Sequence, residues 1–331
     1  MGSKPSANGL LQPASLAEFE STVQDLAIAR SWPAVLSFRP LAGELIDSAN
    51  ATPQDWLRVR DVLESGWPNF DGFVVVHGTD TMAYVAAFLS FAIEFQDKPV
   101  VVTGSMKPIF EEGDAASNLE ASVLVAVTPT VQGTPIDQLL ISFGGAILRG
   151  NRATKLSLES AGIDTPRVDI LGRYLTDGST ASPIWSYGKP NRQGRQNDPV
   201  CFRPIQHHRL GLIRLFPGVS PDMVRQMLID LDGLVIEAYG SGTGPENLVP
   251  VLESAARQGK FVVVTTEVLN GAVEDGYETD LVRKGSYLIS GGTMLAEAAL
   301  AKLYYFLGIA NESNRRWFVK KQMEQSNRGD R

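Results

Sequence analysis

Runs of valine and other β-branched residues, four or five long and each followed by a helical pattern, constrain this chain more than anything else in it. Gly72-Phe-Val-Val-Val76 precedes a stretch from Thr81 to Phe95 with apolar residues at helical spacing. Pro99-Val-Val-Val-Thr103 is followed, after a loop, by another such stretch from Asn118 to Val127. Gln138-Leu-Leu-Ile-Ser-Phe143, Leu210-Gly-Leu-Ile-Arg-Leu215, Gly233-Leu-Val-Ile-Glu237 and Lys260-Phe-Val-Val-Val-Thr265 continue the series. Helical patterns at Pro221 to Leu231, Asn247 to Gln258 and Thr293 to Leu307 accompany the later runs. A strand apolar on both faces must be covered on both, and helices packed on either side of a parallel sheet do that. The class implied is α/β.

At 331 residues, 44% of them hydrophobic and 20% charged, the chain is long enough for two cores. Between Gly188 and Pro204 the apolar pattern stops in a polar stretch, Gly-Lys-Pro-Asn-Arg-Gln-Gly-Arg-Gln-Asn-Asp-Pro. That is the chemistry of an interdomain linker. The division expected is an N-terminal domain over 1–187, a linker over 188–208 and a C-terminal domain over 209–331. The opening is irregular. Met1-Gly-Ser-Lys-Pro-Ser-Ala-Asn-Gly9 is loop chemistry, a helical pattern follows from about Ala14 to Arg30, and the earliest strand-like run is Ala34-Val-Leu-Ser-Phe38. A doubly wound domain usually opens with a strand. A central strand is therefore expected to be missing, leaving an unpaired edge between the Ala34–Phe38 and Phe73–Val76 runs.

Thirty Lys and Arg stand against 37 Asp and Glu, a formal charge of −7. A scattered, net acidic surface argues against a phosphate-backbone partner such as nucleic acid. Cys201 is the single cysteine, so no internal disulfide can form and no oxidising compartment is demanded. No basic segment followed by an apolar core opens the sequence, and no run approaches the roughly eighteen apolar residues of a membrane span. A cytoplasmic protein is expected, with no membrane partner.

Ligands of open α/β sheets sit beyond the carboxyl ends of the strands, and polar clusters occupy that position here. His77-Gly-Thr-Asp-Thr-Met82 directly follows a strand, with Thr79 and Asp80 at the start of the next helix. A helix start offers free N–H groups and positive potential to a carboxylate; equally, either residue could simply cap the helix, worth about 1 kcal/mol. Thr103-Gly-Ser-Met-Lys107, continuing to Asp114 and Asn118, is an ordinary strand-to-helix connection if it stands alone. Leu148-Arg-Gly-Asn-Arg-Ala-Thr-Lys155 could be a solvated loop. Thr52-Pro53 reads as a helix start, which leaves Asp47 and Ser48 free in the loop before it. His77 is most simply a packed histidine at a strand end. With only three histidines, two of them adjacent at His207-His208, a His-built metal site is not expected. No G-x-S-x-G, no G-x-G-x-x-G after a strand and no phosphate-binding loop of the G-x-x-x-x-G-K-[ST] form occurs. Chemistry without metal or cofactor is favoured.

Together these clusters resemble the asparaginase family. Val-Val-His-Gly-Thr-Asp-Thr-Met-Ala-Tyr over 75–84 is nearly the family's signature. Lys98-Pro-Val-Val-Val-Thr-Gly-Ser105, Arg149-Gly-Asn-Arg-Ala-Thr-Lys155 and Gly291-Gly-Thr-Met-Leu-Ala-Glu297 follow in the family's order. The resemblance is to the bacterial cytosolic type, and it covers essentially the whole chain. It implies a larger N-terminal flavodoxin-like domain with a mixed or parallel sheet, a smaller C-terminal α/β domain with a parallel sheet, and a homodimer or homotetramer. It implies hydrolysis of the side-chain amide of L-asparagine through a threonine acyl-enzyme. By that similarity Thr79, Asp80 and Lys155 form a polar relay, Asp80 also meets the substrate's α-amino group, and Asp47, Ser48 and Ala49 grip its α-carboxylate. The relay and Ser48 should then converge on one cleft.

The family's other threonine sits in a Thr-Gly-Gly-Thr-Ile-Gly stretch closing a first strand, which these residues do not contain. Thr22, inside a helical pattern, is the only threonine before Thr52 and cannot take its place. Leu10 and Leu11 stand where a tyrosine is expected, and Thr243 where relatives often carry asparagine. A start assigned too late is the favoured explanation; an amino-acid-binding scaffold without activity is the alternative.

Overall fold

The computed structural model describes residues 1–5, 11–41, 45–94, 96–128, 130–131, 134–136, 138–159, 162–164, 170–176, 181–185, 199–327 and 329–330. They fall into two compact units, Met1–Phe202 and Arg203–Arg331. Residues 188–198 of the expected linker lie outside the described ones.

In the first unit, β1 (Ser3–Pro5) pairs antiparallel with β2 (Leu11–Pro13). Helix α1 (Leu16–Ala29) starts at Ser15, which accepts from the Glu18 amide while Glu18 accepts from the Ser15 amide in return. This reciprocal cap is a sequence-encoded helix start. Helix α2 (Pro53–Gly66) begins where Thr52-Pro53 places it, and Asp55 accepts from the Thr52 amide at 2.8 Å. Then come β3 (Phe73–Val76), α3 (Met82–Ala92), β4 (Val100–Thr103) and α4 (Ala115–Ala126). Every residue of α3 except Tyr84 is buried, which explains why it is apolar all round. Short β5 (Thr130–Val131) and β6 (Thr134–Pro135) pair with each other.

The principal sheet is completed by β7 (Leu140–Phe143), β8 (Ala146–Arg149), β11 (Ile170–Thr176) and β12 (Ala181–Trp185), with the small β9 (Thr154–Lys155) and β10 (Ile163–Asp164) pairing apart from it. Among the described residues its order is β12-β11-β8-β7-β4-β3. β3, β4 and β7 run parallel, and the β7–β8, β8–β11 and β11–β12 pairs are antiparallel, so the sheet is mixed. The reversal is made by Gly144 and Gly145, both at positive φ (55° and 77°), the two-residue turn whose twist suits a hairpin.

The Ala34–Phe38 run is not a strand. Pro33 and Pro40 bracket it, Val35 is fully exposed, and Leu36 and Phe38 lean on a cluster of Phe19, Val23, Ala27, Trp32, Leu119 and Val123. A segment bounded by prolines, with its apolar side chains already covered by helices, gains nothing from a ladder. The expected gap between two strands is accordingly corrected. β3 is the last strand of the order among the described residues, paired on the β4 side only.

The second unit has β13 (Leu210–Arg214), α5 (Pro221–Ile229), β14 (Gly233–Ala238), α6 (Val249–Arg257), β15 (Phe261–Thr266), β16 (Ile289–Ser290), α7 (Ala296–Gly308) and α8 (Arg315–Glu324). Its four strands, ordered β13-β14-β15-β16, are all parallel. Alternate residues feed two cores: Leu234, Ile236, Val262 and Val264 pack with α5 and α6, and Val235 and Val263 pack with α7 and α8. Lys302 of α7 and Asp330 are both fully buried, paired at 2.5 Å, and the ammonium also reaches the Gln325 carbonyl at 2.7 Å. No helix among the described residues is long and apolar enough to cross a membrane.

Candidate active site

The backbone of β3 carries straight into the site. His77 N–H donates to Thr103 O at 2.8 Å, extending the β3–β4 ladder by one rung before the chain turns away. The imidazole Nδ1 donates to Gly78 O at 2.8 Å, so the neutral ring keeps Nε2 unprotonated. Burial pushes the His77 pKa below its usual value; the Gly78 carbonyl opposes that shift and the Met1 amino group adds to it. This is a packed strand-end histidine, as the sequence reading favoured.

Gly78 must be glycine. A Cβ there would lie 2.3 Å from Ser48 Oγ and 2.6 Å from Ser48 Cβ. The turn after β3 is therefore pressed against a single-turn 3₁₀ helix, Ser48–Asn50. Asp47 caps that turn, its Oδ1 accepting from the Ala49 amide at 3.0 Å, and Ser48 is buried while Asp47 and Ala49 are exposed. A second tie comes from Thr81, whose hydroxyl donates to Ser48 O at 2.8 Å.

Lys155 arrives from β9, 75 residues from Asp80 in sequence. Pairing of Lys155 with Ile163, and a 2.7 Å bond from the Leu156 amide to Gly162 O, hold its backbone. Its ammonium donates to Thr79 Oγ1 at 2.9 Å and to Asp80 Oδ1 at 2.6 Å. The lysine is mostly buried and the aspartate mostly exposed, with side-chain exposures of 22% and 58%. Thr79, Asp80 and Lys155 thus meet within hydrogen-bond reach, and Ser48 abuts the same turn through Gly78 and Thr81. An ammonium on the Thr79 oxygen leaves the hydroxyl proton free to point elsewhere. It also supplies positive charge where an alkoxide or a proton in transit would need it.

The cluster after β4 supports this turn from behind. Gly104 has no room for a Cβ, which would meet His77 O at 2.3 Å and Met82 Cε at 2.4 Å. Asn118, 3% exposed, donates to Gly104 O at 3.0 Å and accepts from the Gly144 amide at 3.0 Å. Asp114 accepts from the Met106 and Lys107 amides at 2.9 and 3.0 Å. Sequence reasoning named this cluster but gave it no task, and it overlooked Thr81. The available signal was a threonine that opens an all-apolar helix, where its hydroxyl has a choice of partners. Among the described residues no group of three His, Cys, Asp or Glu is placed to hold a metal.

A threonine, a lysine and an aspartate within hydrogen-bond reach of one another beyond a parallel strand form a candidate site for hydroxyl chemistry of the hydrolase kind. Residues 2–182 match the family described as Asparaginase, N-terminal, and residues 209–318 match the Glutaminase/Asparaginase C-terminal domain. The chain belongs to the asparaginase family. It is 33% identical over 291 residues to L-asparaginase 1 of Escherichia coli, covering 86% of this chain and 82% of that one. The solved thermostable L-asparaginase from Thermococcus kodakarensis superposes with a TM-score of 0.83 at 30% identity, over 99% of this chain and 95% of that one. L-asparaginase I from Vibrio cholerae gives 0.80 at 29% identity, with the same coverage.

Proposed function

We propose that the chain hydrolyses the side-chain amide of L-asparagine to aspartate and ammonia through a threonine acyl-enzyme. The single observation carrying this is the Lys155 ammonium held on both Thr79 Oγ1 and Asp80 Oδ1. A threonine hydroxyl attacks the amide carbon, ammonia leaves with a proton, and water then releases aspartate from the ester. Thr79, Asp80 and Lys155 act in each step as a polar relay, Lys155 holding the charge that keeps Thr79 and Asp80 poised, because an attacking hydroxyl needs a neighbouring proton acceptor. Asp80, more than half exposed, is free on its open side to meet the substrate's α-amino group. Asp47, Ser48 and Ala49 receive the α-carboxylate at the start of a short helical turn.

Ammonia release from L-asparagine is the test, run on this chain and on an N-terminally extended form. Thr79→Val and Lys155→Met should each lower kcat by about 10²- to 10⁴-fold, the range of a lost proton-handling group. A Lys155→Met variant as active as its parent would remove the relay from the mechanism. Asparagine binding without ammonia release in both forms would favour a binding scaffold instead.

The protein works as a homodimer or homotetramer in the cytoplasm, a reading supported by its likeness to the cytosolic type. Light scattering on protein recovered from the cytoplasmic fraction checks both points, and a monomer at micromolar concentration would refute the assembly.

A further inference from the structure

Thr81 occupies the cap position of α3 but does not cap it: its hydroxyl makes no bond to the first turn of its own helix. A threonine in that position normally turns inward to satisfy a free amide, for about 1 kcal/mol. Here the hydroxyl is spent on Ser48 O, 2.8 Å away and 33 residues earlier in the chain. Ser48 O is already used by the Ala51 amide at 3.1 Å, so Thr81 adds a second donor to an oxygen that local structure had satisfied. Gly78, with no Cβ, lets Ser48 approach the same turn three residues upstream. The turn bearing Thr79 and Asp80 is thereby clamped to the Asp47–Ala49 turn at two points, one steric and one bonded.

From this we infer that Thr81 is a positioning residue for substrate recognition. It fixes the distance between the turn that receives the α-carboxylate and the hydroxyl and carboxylate that act at the amide end. It touches no reacting atom. Asp80 follows Thr79 and precedes Thr81 without a spacer, so a shift of Thr81 toward its own helix moves Asp80 relative to Ser48. Lys155 still holds Thr79 and Asp80 together, since its bonds do not pass through Ser48. Losing the Thr81 bond should then loosen substrate binding and leave the chemical step nearly intact. The inference rests on the asparagine-hydrolysis reading above.

Thr81→Val keeps the shape and deletes the donor, and Thr81→Ser keeps the donor. In steady-state assays Thr81→Val should raise KM for L-asparagine about five- to tenfold, the scale of one hydrogen bond, with kcat within about twofold. Thr81→Ser should restore KM to within about twofold of the parent. With 3-aminopropanamide, which has the same amide and amine but no α-carboxylate, Thr81→Val and parent should show equal kcat/KM. Unchanged KM in Thr81→Val, or equal losses on both amides, overturns the inference. Should Thr81→Val not fold, Thr81→Ala compared with Thr81→Ser reads the same difference. A parent that releases no ammonia from either amide instead overturns the functional reading, and L-aspartate titrated calorimetrically into parent and Thr81→Val then tests the clamp by itself: equal affinities refute it.

Discussion

Phe-Val-Val-Val occurs twice in this chain, as Phe73–Val76 and as Phe261–Val264, and the two copies live in opposite surroundings. In β15 the four residues are 4% exposed or less, flanked by β14 and β16 and covered by helices on both faces. In β3 all four are partly exposed, Val76 to 37%, and β4 is the only neighbouring strand among the described residues. The letters make a strand in both places. How deeply the strand is buried is decided by what lies beside it, which is why strand propensity behaves as a fit to a surface rather than a property of the backbone.

The comparison can be broken most severely with a charge. Val263→Lys places an ammonium where exposure is zero, and should cost more than about 4 kcal/mol, enough to unfold the second unit. Val76→Lys should change stability by less than about 0.5 kcal/mol, and should reduce self-association through the side of β3 that has no strand partner among the described residues. Chemical denaturation and light scattering read the two effects, and equal destabilisation by both substitutions would erase the contrast. A smaller effect comes from pH. His77 follows the first copy and His208 precedes β13, and burial lowers both pKa values from the usual 6.5. The folded protein then resists protons that the unfolded chain accepts. Stability is full above about pH 6.5 and declines as pH falls toward and through the folded values. His208→Gln should flatten that decline, though only in part, because the Asp232 carboxylate 3.2 Å from Nδ1 opposes the effect of burial on the ring. An unchanged slope would mean that His208 titrates normally.

Much of this was legible in the letters, for reasons that differ by element. The valine runs and their partner helices are local signals, and the parallel strands β3, β4, β7, β13, β14 and β15 follow from them. The hairpin turn at Gly144-Gly145 went unread, because its neighbour Leu148–Lys155 reads as a polar loop and masks the antiparallel half of the sheet. Ala34–Phe38 misleads in the other direction: its alternation is real, yet prolines and a waiting apolar cluster claim it. Within the site, Thr79 and Asp80 announce themselves at a strand end. That Lys155 reaches them across 75 residues could be had only from likeness to a family, since nothing local to β9 distinguishes a pairing lysine from a solvated one. The direction of the Thr81 hydroxyl was beyond any sequence argument, because a cap threonine and a clamp threonine are spelled identically.

The fit of Gly78 against Ser48 limits how this site could be transplanted or redesigned. Two turns packed so closely that a Cβ at Gly78 would lie 2.3 Å from Ser48 Oγ cannot be exchanged singly, because a foreign loop on either side would arrive with a side chain or a curvature the other does not accept. A graft into another scaffold has to carry residues 47–51 and 77–81 as one piece, and a library that randomises either turn alone samples mostly collisions.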